Sequence, residues 1–265
     1  MNVKRNLLNL GFGLLSVFLL FSCLDDSGDD VYVSYGVIQN VNSSNDYEIF
    51  TDNGNTLVVT KSQTTQEIEE GKRVLVSFGI LSDENKSKNM YEVRVNGFYF
   101  LLSKPVVNES FILQDEEHRR DSIGNDPFNA IRTWYGGDFV NIDFEVFHSP
   151  DMNKKHMVNL IYDDVRVDTD TIYLTLRHNA FGEVPGKVNG LYRGIGRCSF
   201  KVADLLPQGV TSMPIKITWT EYDGGGYGNV AKERSKSEVF KLGASENENK
   251  SFSKNGWLPT DIDVN

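Results

Sequence analysis

From Val31 to Ser103 apolar and polar positions alternate, and no stretch presents a helical face. That period of two is the repeat of a half-buried strand. Five strands are predicted, over residues 31–41, 46–51, 55–60, 72–81 and 90–102, while the polar stretch from Ser62 to Gly71 has room for one helical turn. Asp52-Asn53-Gly54 joins the second strand to the third, and Asn-Gly between β-prone runs is a strong hairpin signal because both residues tolerate positive φ. Asn96-Gly97 interrupts the fifth strand and predicts a bulge. Five short antiparallel strands in about seventy residues predict an OB-like barrel over residues 31–103.

Alternation returns at longer spacing over residues 138–148, 155–162, 171–178, 191–202, 213–222 and 237–242. Asn141 to Phe147 and Thr171 to Arg177 alternate strictly, so each strand buries one face and wets the other. Strands of this kind joined by turns predict an antiparallel β-sandwich over residues 128–244. The expected fold class is therefore all-β. Leu113 to Asp121 is almost wholly charged and is bracketed by Pro105 and Pro127, so residues 104–127 read as a solvated interdomain linker, with room for a helical turn, that a protease would cut first. Residues 245–265 read as a frayed polar tail.

The first thirty residues follow another logic. Lys4 and Arg5 precede an apolar run from Leu7 to Phe21, and Ser22-Cys23 ends it, which is a signal-peptide arrangement over residues 1–22. The run is shorter than the roughly twenty residues needed to span hydrocarbon. Leu20-Phe21-Ser22-Cys23 resembles a bacterial lipobox, although Phe21 is bulkier than that pattern usually carries. The resemblance implies cleavage before Cys23 and lipid on its thiol; two or more acyl chains at about 0.8 kcal/mol per buried methylene would hold a domain on a membrane. Residues 23–30 carry four aspartates and form an acidic tether too polar to fold alone. The expected address is the cell envelope, as an outer-membrane lipoprotein facing either the surface or the periplasm.

Charge and chemistry narrow the function further. The formal net charge of −10 disfavours nucleic acid as a partner. Cys23 and Cys198 are the two cysteines, so acylation of Cys23 leaves no intramolecular disulfide, and Cys198 sits in an alternating strand as a buried thiol would. No nucleophile elbow, phosphate-binding loop or metalloprotease helix motif occurs, and Gly190 to Gly196 lacks the strand-turn-helix setting of a dinucleotide loop. Asp163, Asp164, Asp168 and Asp170 could gather around calcium, and Asp115, Glu117, His118 and Asp121 around another cation, but solvated turns and a linker account for both. His148, His156 and His178 fall in or beside sandwich strands, as surface or hydrogen-bonded core groups would. No catalytic residue, metal or cofactor is therefore expected. The most unusual loop is Glu221 to Asn229, where Tyr222 and Tyr227, with Trp219 nearby, could stack on a sugar or a partner's side chain. The expectation is a non-catalytic binding or protective module whose OB groove and sandwich loops hold a protein or peptide at the envelope, or alternatively a surface glycan-binding lipoprotein.

Lipobox, acidic tether, OB-like unit and a sandwich carrying Leu174-Thr175-Leu176-Arg177-His178-Asn179 and Cys198 to Leu205 together resemble the NigD-like lipoproteins. The resemblance spans nearly the whole chain. It implies an N-terminal OB domain and a C-terminal β-sandwich, a link to bacteriocin production or immunity through operon context, and no catalytic residues.

Overall fold

The computed structural model describes residues 30–151, 154–166, 170–185, 187–222, 233–242 and 253–254, the last two segments by backbone alone. The signal peptide, Cys23 and nearly all of the acidic tether lie outside the described residues.

Five strands build the first unit: β1 (Val31–Ser43), β2 (Asp46–Thr51), β3 (Thr56–Ser62), β4 (Arg73–Ser82) and β5 (Met90–Phe100). They pair in the order β1-β2-β3-β5-β4, and β4 returns to β1 to close the barrel. Only the β3–β5 pairing is parallel. The alternating apolar residues fill the interior, with Ile38, Ile49, Leu57, Val74, Phe78 and Val93 all buried. Closure demands that β1 serve two neighbours, and Gly36 pairs with both Thr51 and Val74. A Cβ there would lie 2.6 Å from Ile49 Cγ2 and 2.8 Å from the Phe50 carbonyl oxygen, so no larger residue fits. The expected bulge is present, since Ser77 faces Gly97 but Phe78 faces Val95, leaving Asn96 unpaired in the ladder. At the Asp52-Asn53-Gly54 turn Gly54 takes φ 78° while Asn53 does not take positive φ.

The remaining elements are β6 (Leu102–Pro105), β7 (Val107–Asn108), α1 (Glu109–Leu113), α2 (Glu116–Ile123), β8 (Asn129–Gly136), β9 (Phe139–His148), β10 (Met157–Tyr162), β11 (Ile172–Asn179), β12 (Tyr192–Lys201), β13 (Met213–Tyr222), β14 (Glu233–Leu242) and β15 (Ser253–Lys254). Two sheets form, ordered β14-β13-β11-β10-β7 and β6-β12-β9-β8. Their inner faces meet through Phe144 and Val146 of β9, Leu174 and Leu176 of β11, Phe200 of β12 and Ile217 of β13. This is the expected sandwich, with three parallel pairings (β6–β12, β7–β10 and β11–β13) among the antiparallel ones.

Residues 104–127 correct the sequence expectation, because they are folded. Lys104 and Pro105 pair with β12, Val107 and Asn108 pair with β10, and the charged run is α2. An eight-residue helix lying on a sheet exposes most of its circumference, and none of the residues of α2 is buried. Its composition is therefore that of a solvated segment although its backbone is ordered. β8 also escaped notice, since its register shifts between Ala130 and Arg132 and breaks the alternation. Of the polar tail, Ser253 and Lys254 pair with Val33 and Tyr32 of β1.

Barrel and sandwich share a buried polar seam. Arg73, 1 % exposed, donates from both terminal nitrogens to Asp52 (2.5 and 2.8 Å) and from Nη2 to Asn141 Oδ1 (2.6 Å). Trp134 Nε1 donates to Asp52 Oδ2 (2.9 Å), and Ser199 Oγ donates to Asn141 Oδ1 (2.7 Å). Gly136 lets the β8–β9 hairpin press on this group, since a Cβ there would sit 2.6 Å from Asp52 Cβ. Beside it, Asp143 accepts from Arg132 and lies 3.3 Å from Arg197 Nε and from the Tyr35 hydroxyl.

Candidate functional site

α1 packs against β7 and α2 against β10 and β11 of the five-stranded sheet. Between them and β10–β11 lies a cavity of about 430 Å³. Ile112 and Ile161, 2 % and 3 % exposed, supply its apolar wall. Period-two alternation fixes the orientation of β11: Leu176 and His178 point into the core, so Arg177 points out toward the cavity. Arg177 is half-buried, and its guanidinium makes no hydrogen bond to any described residue. Arg120 on the opposite wall is already engaged, through Nη2 to Glu109 (2.6 Å) and Nε to Glu116 (2.7 Å). Burial, then the proximity of Arg120, disfavours the charge on Arg177, and Glu109 offsets this in part.

The rim is held by specific bonds. Asn179 donates from Nδ2 to the carbonyls of Asp121 (3.1 Å) and Ser122 (2.9 Å), tying the last turn of α2 to β11. Gly124 ends the helix at φ 73°, and a Cβ there would lie 2.7 Å from both Asn179 Cβ and the His178 carbonyl oxygen. Asp126 donates its N–H to that same carbonyl (2.8 Å) and accepts from Ala180 N–H through Oδ2 (2.8 Å).

A second polar group lies inside the sandwich. His178 Nε2 is 2.9 Å from His156 Nδ1, and His156 Nε2 is 3.2 Å from Glu183 Oε2, with all three residues 2–3 % exposed. Glu183 Oε2 also accepts from the Ser149 N–H (2.9 Å), and Oε1 lies 3.4 Å from Lys154 Nζ. Burial pushes the Glu183 carboxyl up, but the bonds from Ser149, His156 and Lys154 together outweigh it and hold the group at about 2. Burial, reinforced by His156, pushes His178 down to about 3. Burial also lowers His156, against the pull of Glu183. Both imidazoles are then neutral at pH 7. With Glu183 ionised, the proton assignment that satisfies the chain is His178 Nε2–H to His156 Nδ1 and His156 Nε2–H to Glu183. His178 Nδ1 is buried, and the nearby backbone of Pro127 and Asp126 favours its charged form in part.

The residues singled out in the sequence fare differently. Trp219 is 4 % exposed within the sandwich core, and Tyr222 is 2 % exposed and edge-on to Phe147. Neither can stack on a ligand, because the alternation that made β13 recognisable also turns Trp219 inward, while Tyr222 closes a small cluster with Ala180 and Val184. Tyr227 and Cys23 lie outside the described residues. Asp164 is committed to the N–H and hydroxyl of Ser110. Among the described residues no group of three or more His, Cys, Asp or Glu is arranged to hold a metal, and no helix is long and apolar enough to cross a membrane. Cys198 is buried, and burial pushes its thiol up. Arg177 was visible only as a wet position on a strand; its cavity exists because α1 and α2 fold over it.

A closed five-stranded OB barrel joined by a polar seam to a β-sandwich is a recognisable two-domain architecture. The chain belongs to the NigD-like family: residues 35–99 match the NigD-like N-terminal OB domain and residues 110–230 the NigD-like C-terminal beta sandwich domain. Among solved structures it resembles a protein of unknown function from Bacteroides vulgatus (20 % identity, TM-score 0.61, covering 88 % of this chain and 98 % of that one). It also resembles a NigD-like immunity protein from Bacteroides caccae (18 %, 0.55, covering 80 % and 94 %) and a candidate lipoprotein from Bacteroides fragilis (9 %, 0.51, covering 80 % and 97 %). At these identities the likeness is one of fold. No curated protein matches the chain.

Proposed function

We propose that this chain is a lipid-anchored lipoprotein of the cell envelope that binds a ligand or partner without converting it, in a protective role of the immunity kind, with the helix-covered cavity as its binding site. The observation that carries this reading is Arg177, a half-buried guanidinium with no hydrogen bond to the described residues, facing a cavity with an apolar wall. A concave site that joins an apolar wall to a set of placed polar groups is how folded proteins hold small ligands or a partner's side chain. The cluster best suited to proton transfer, His156, His178 and Glu183, supports a binding role because it is sealed from solvent. The Bacteroides caccae relative named an immunity protein and the Bacteroides fragilis candidate lipoprotein support an envelope address; outer-membrane attachment through Cys23, facing either the surface or the periplasm, belongs to the proposal. The glycan alternative loses two of the three aromatics offered for it, since Trp219 and Tyr222 are buried.

Affinity purification of the intact lipoprotein from its own envelope tests the reading. A component retained by the wild type and depleted from the Arg177→Gln protein is the expected result. Turnover of an envelope polymer that disappears in a His178→Gln protein would overturn it.

A further inference from the structure

We infer that the cavity over β10 and β11 receives a carboxylate, gripped at two points by the Arg177 guanidinium, on a ligand whose adjoining apolar group rests on Ile112 and Ile161. This deepens the binding reading above and rests on it. The geometry leads there in three steps. First, a guanidinium offers five donors in a planar fork matched to a two-oxygen acceptor, and that of Arg177 makes no hydrogen bond to the described residues. Glu109 compensates the half-buried charge only in part, and an arriving anion hydrogen-bonded to the fork removes more of the penalty. Second, Arg120 on the facing wall adds positive potential while its own Nε and Nη2 are held by Glu116 and Glu109. Arg120 is therefore committed to those carboxylates, and Arg177 is left as the guanidinium that can take the anion. Third, the charge around the cavity limits what kind of anion enters. Glu109, Asp121 and Asp126 stand against Arg120 and Arg177, a formal excess of one negative charge. A dianionic phosphate is repelled by that surplus more than a monoanion, and a planar carboxylate also fits the fork.

The volume of about 430 Å³ lies toward the small end of the range of roughly 300–1,000 Å³ for ligand sites, enough for one amino-acid residue or one sugar acid rather than a long chain. A peptide's terminal carboxylate and a uronic acid share the required chemistry.

Saturation-transfer NMR on the purified full chain in neutral detergent separates the possibilities, with N-acetyl-L-alanine, its neutral amide and glucuronate as observed probes and inorganic phosphate as competitor. The expected result is transfer to a carboxylate probe and none to the amide, with affinity at least about tenfold weaker in Arg177→Gln. Asp121→Asn, which removes one exposed negative charge from the rim, should tighten binding roughly two- to fivefold. Two variants moving in opposite directions exclude simple unfolding as the cause, and melting temperatures confirm that both fold. Preference for N-acetyl-L-alanine marks a peptide terminus, and preference for glucuronate a uronic acid. Equal transfer to acid and amide, retention in Arg177→Gln, or stronger competition by phosphate than by either carboxylate would overturn the inference. Absence of all probe binding, while an envelope component still co-purifies in an Arg177-dependent way, would overturn the carboxylate assignment and leave the binding reading standing.

Discussion

Replacing Asp52 by alanine should reveal how strongly the barrel and sandwich depend on one another. Asp52 is the counter-charge of Arg73, whose side chain is fully buried, and it also accepts from Trp134 across the seam. Removing the carboxylate leaves a buried guanidinium with Asn141 as its remaining acceptor among the described residues, where Arg73 Nε has no hydrogen-bond partner. Breaking a buried ion pair from one side costs about 3–5 kcal/mol, far more than an exposed pair is worth. For a chain of this size that corresponds to a fall in melting temperature of roughly 6–20 °C. Arg73→Met should cost less, because Asp52 is 12 % exposed and retains Trp134 as a donor. The double variant Asp52→Ala/Arg73→Met should be more stable than Asp52→Ala alone, since no charge is then stranded. Urea unfolding of all four proteins gives the cycle, and a coupling of about 1.5–3 kcal/mol is expected. The wild type should unfold in one transition and Asp52→Ala in two, the sandwich and barrel separating, with protease cutting inside residues 104–127 only in the variant. A cost below about 1 kcal/mol for Asp52→Ala, or strict additivity in the cycle, would refute the reasoning.

Other outcomes follow from the same contacts. The folded pKa of His178, about 3, lies below its ordinary 6.5, so its contribution to stability is fully present above pH 6.5 and is lost as pH falls toward 3. Glu183, held at about 2 against an ordinary 4.5, adds a loss between pH 4.5 and 2. Urea midpoints measured from pH 7.5 to 4 should therefore fall, and more gently in His178→Asn; a flat wild-type profile would contradict the buried neutral pair. Gly124→Ala places a Cβ against the backbone of β11 at positive φ and should loosen α2, seen as faster amide exchange over residues 116–123 with the barrel unchanged. Gly196→Ala would drive a methyl to 2.5 Å from the Phe144 ring and should cost about 1–3 kcal/mol in denaturant unfolding. Cys23→Ser should move the protein to the aqueous phase on detergent partitioning or leave it uncleaved; membrane retention after signal cleavage would contradict the anchor.

The barrel was legible almost strand for strand, because in a small closed barrel every strand buries one face and the alternation is undiluted. Asp52 and Arg73 were not, since within the sequence they read as a turn residue and the polar start of a strand; their pairing spans the seam with Asn141, far along the chain. α2 was misread because a short helix resting on a sheet needs few apolar residues, and Leu113 to Asp121 supplies almost none. Trp219 and Tyr222 were misjudged for a related reason: aromatic residues on an alternating strand announce a core face more often than a platform. Arg177 carried the opposite signal, an outward charge on a well-formed strand, but its isolation from acceptors depends on how Glu109 and Glu116 are spent on Arg120.

Site-specific photo-crosslinking in the native envelope addresses the binding claim most directly. A photoreactive phenylalanine analogue at Asn125, exposed on the cavity rim, is compared with the same group at Lys88, exposed on the barrel. An adduct at residue 125 that is absent at residue 88 and disappears when Arg177→Gln is added is the expected result. Identical adducts at both positions, or an adduct at residue 125 that survives loss of Arg177, would contradict it.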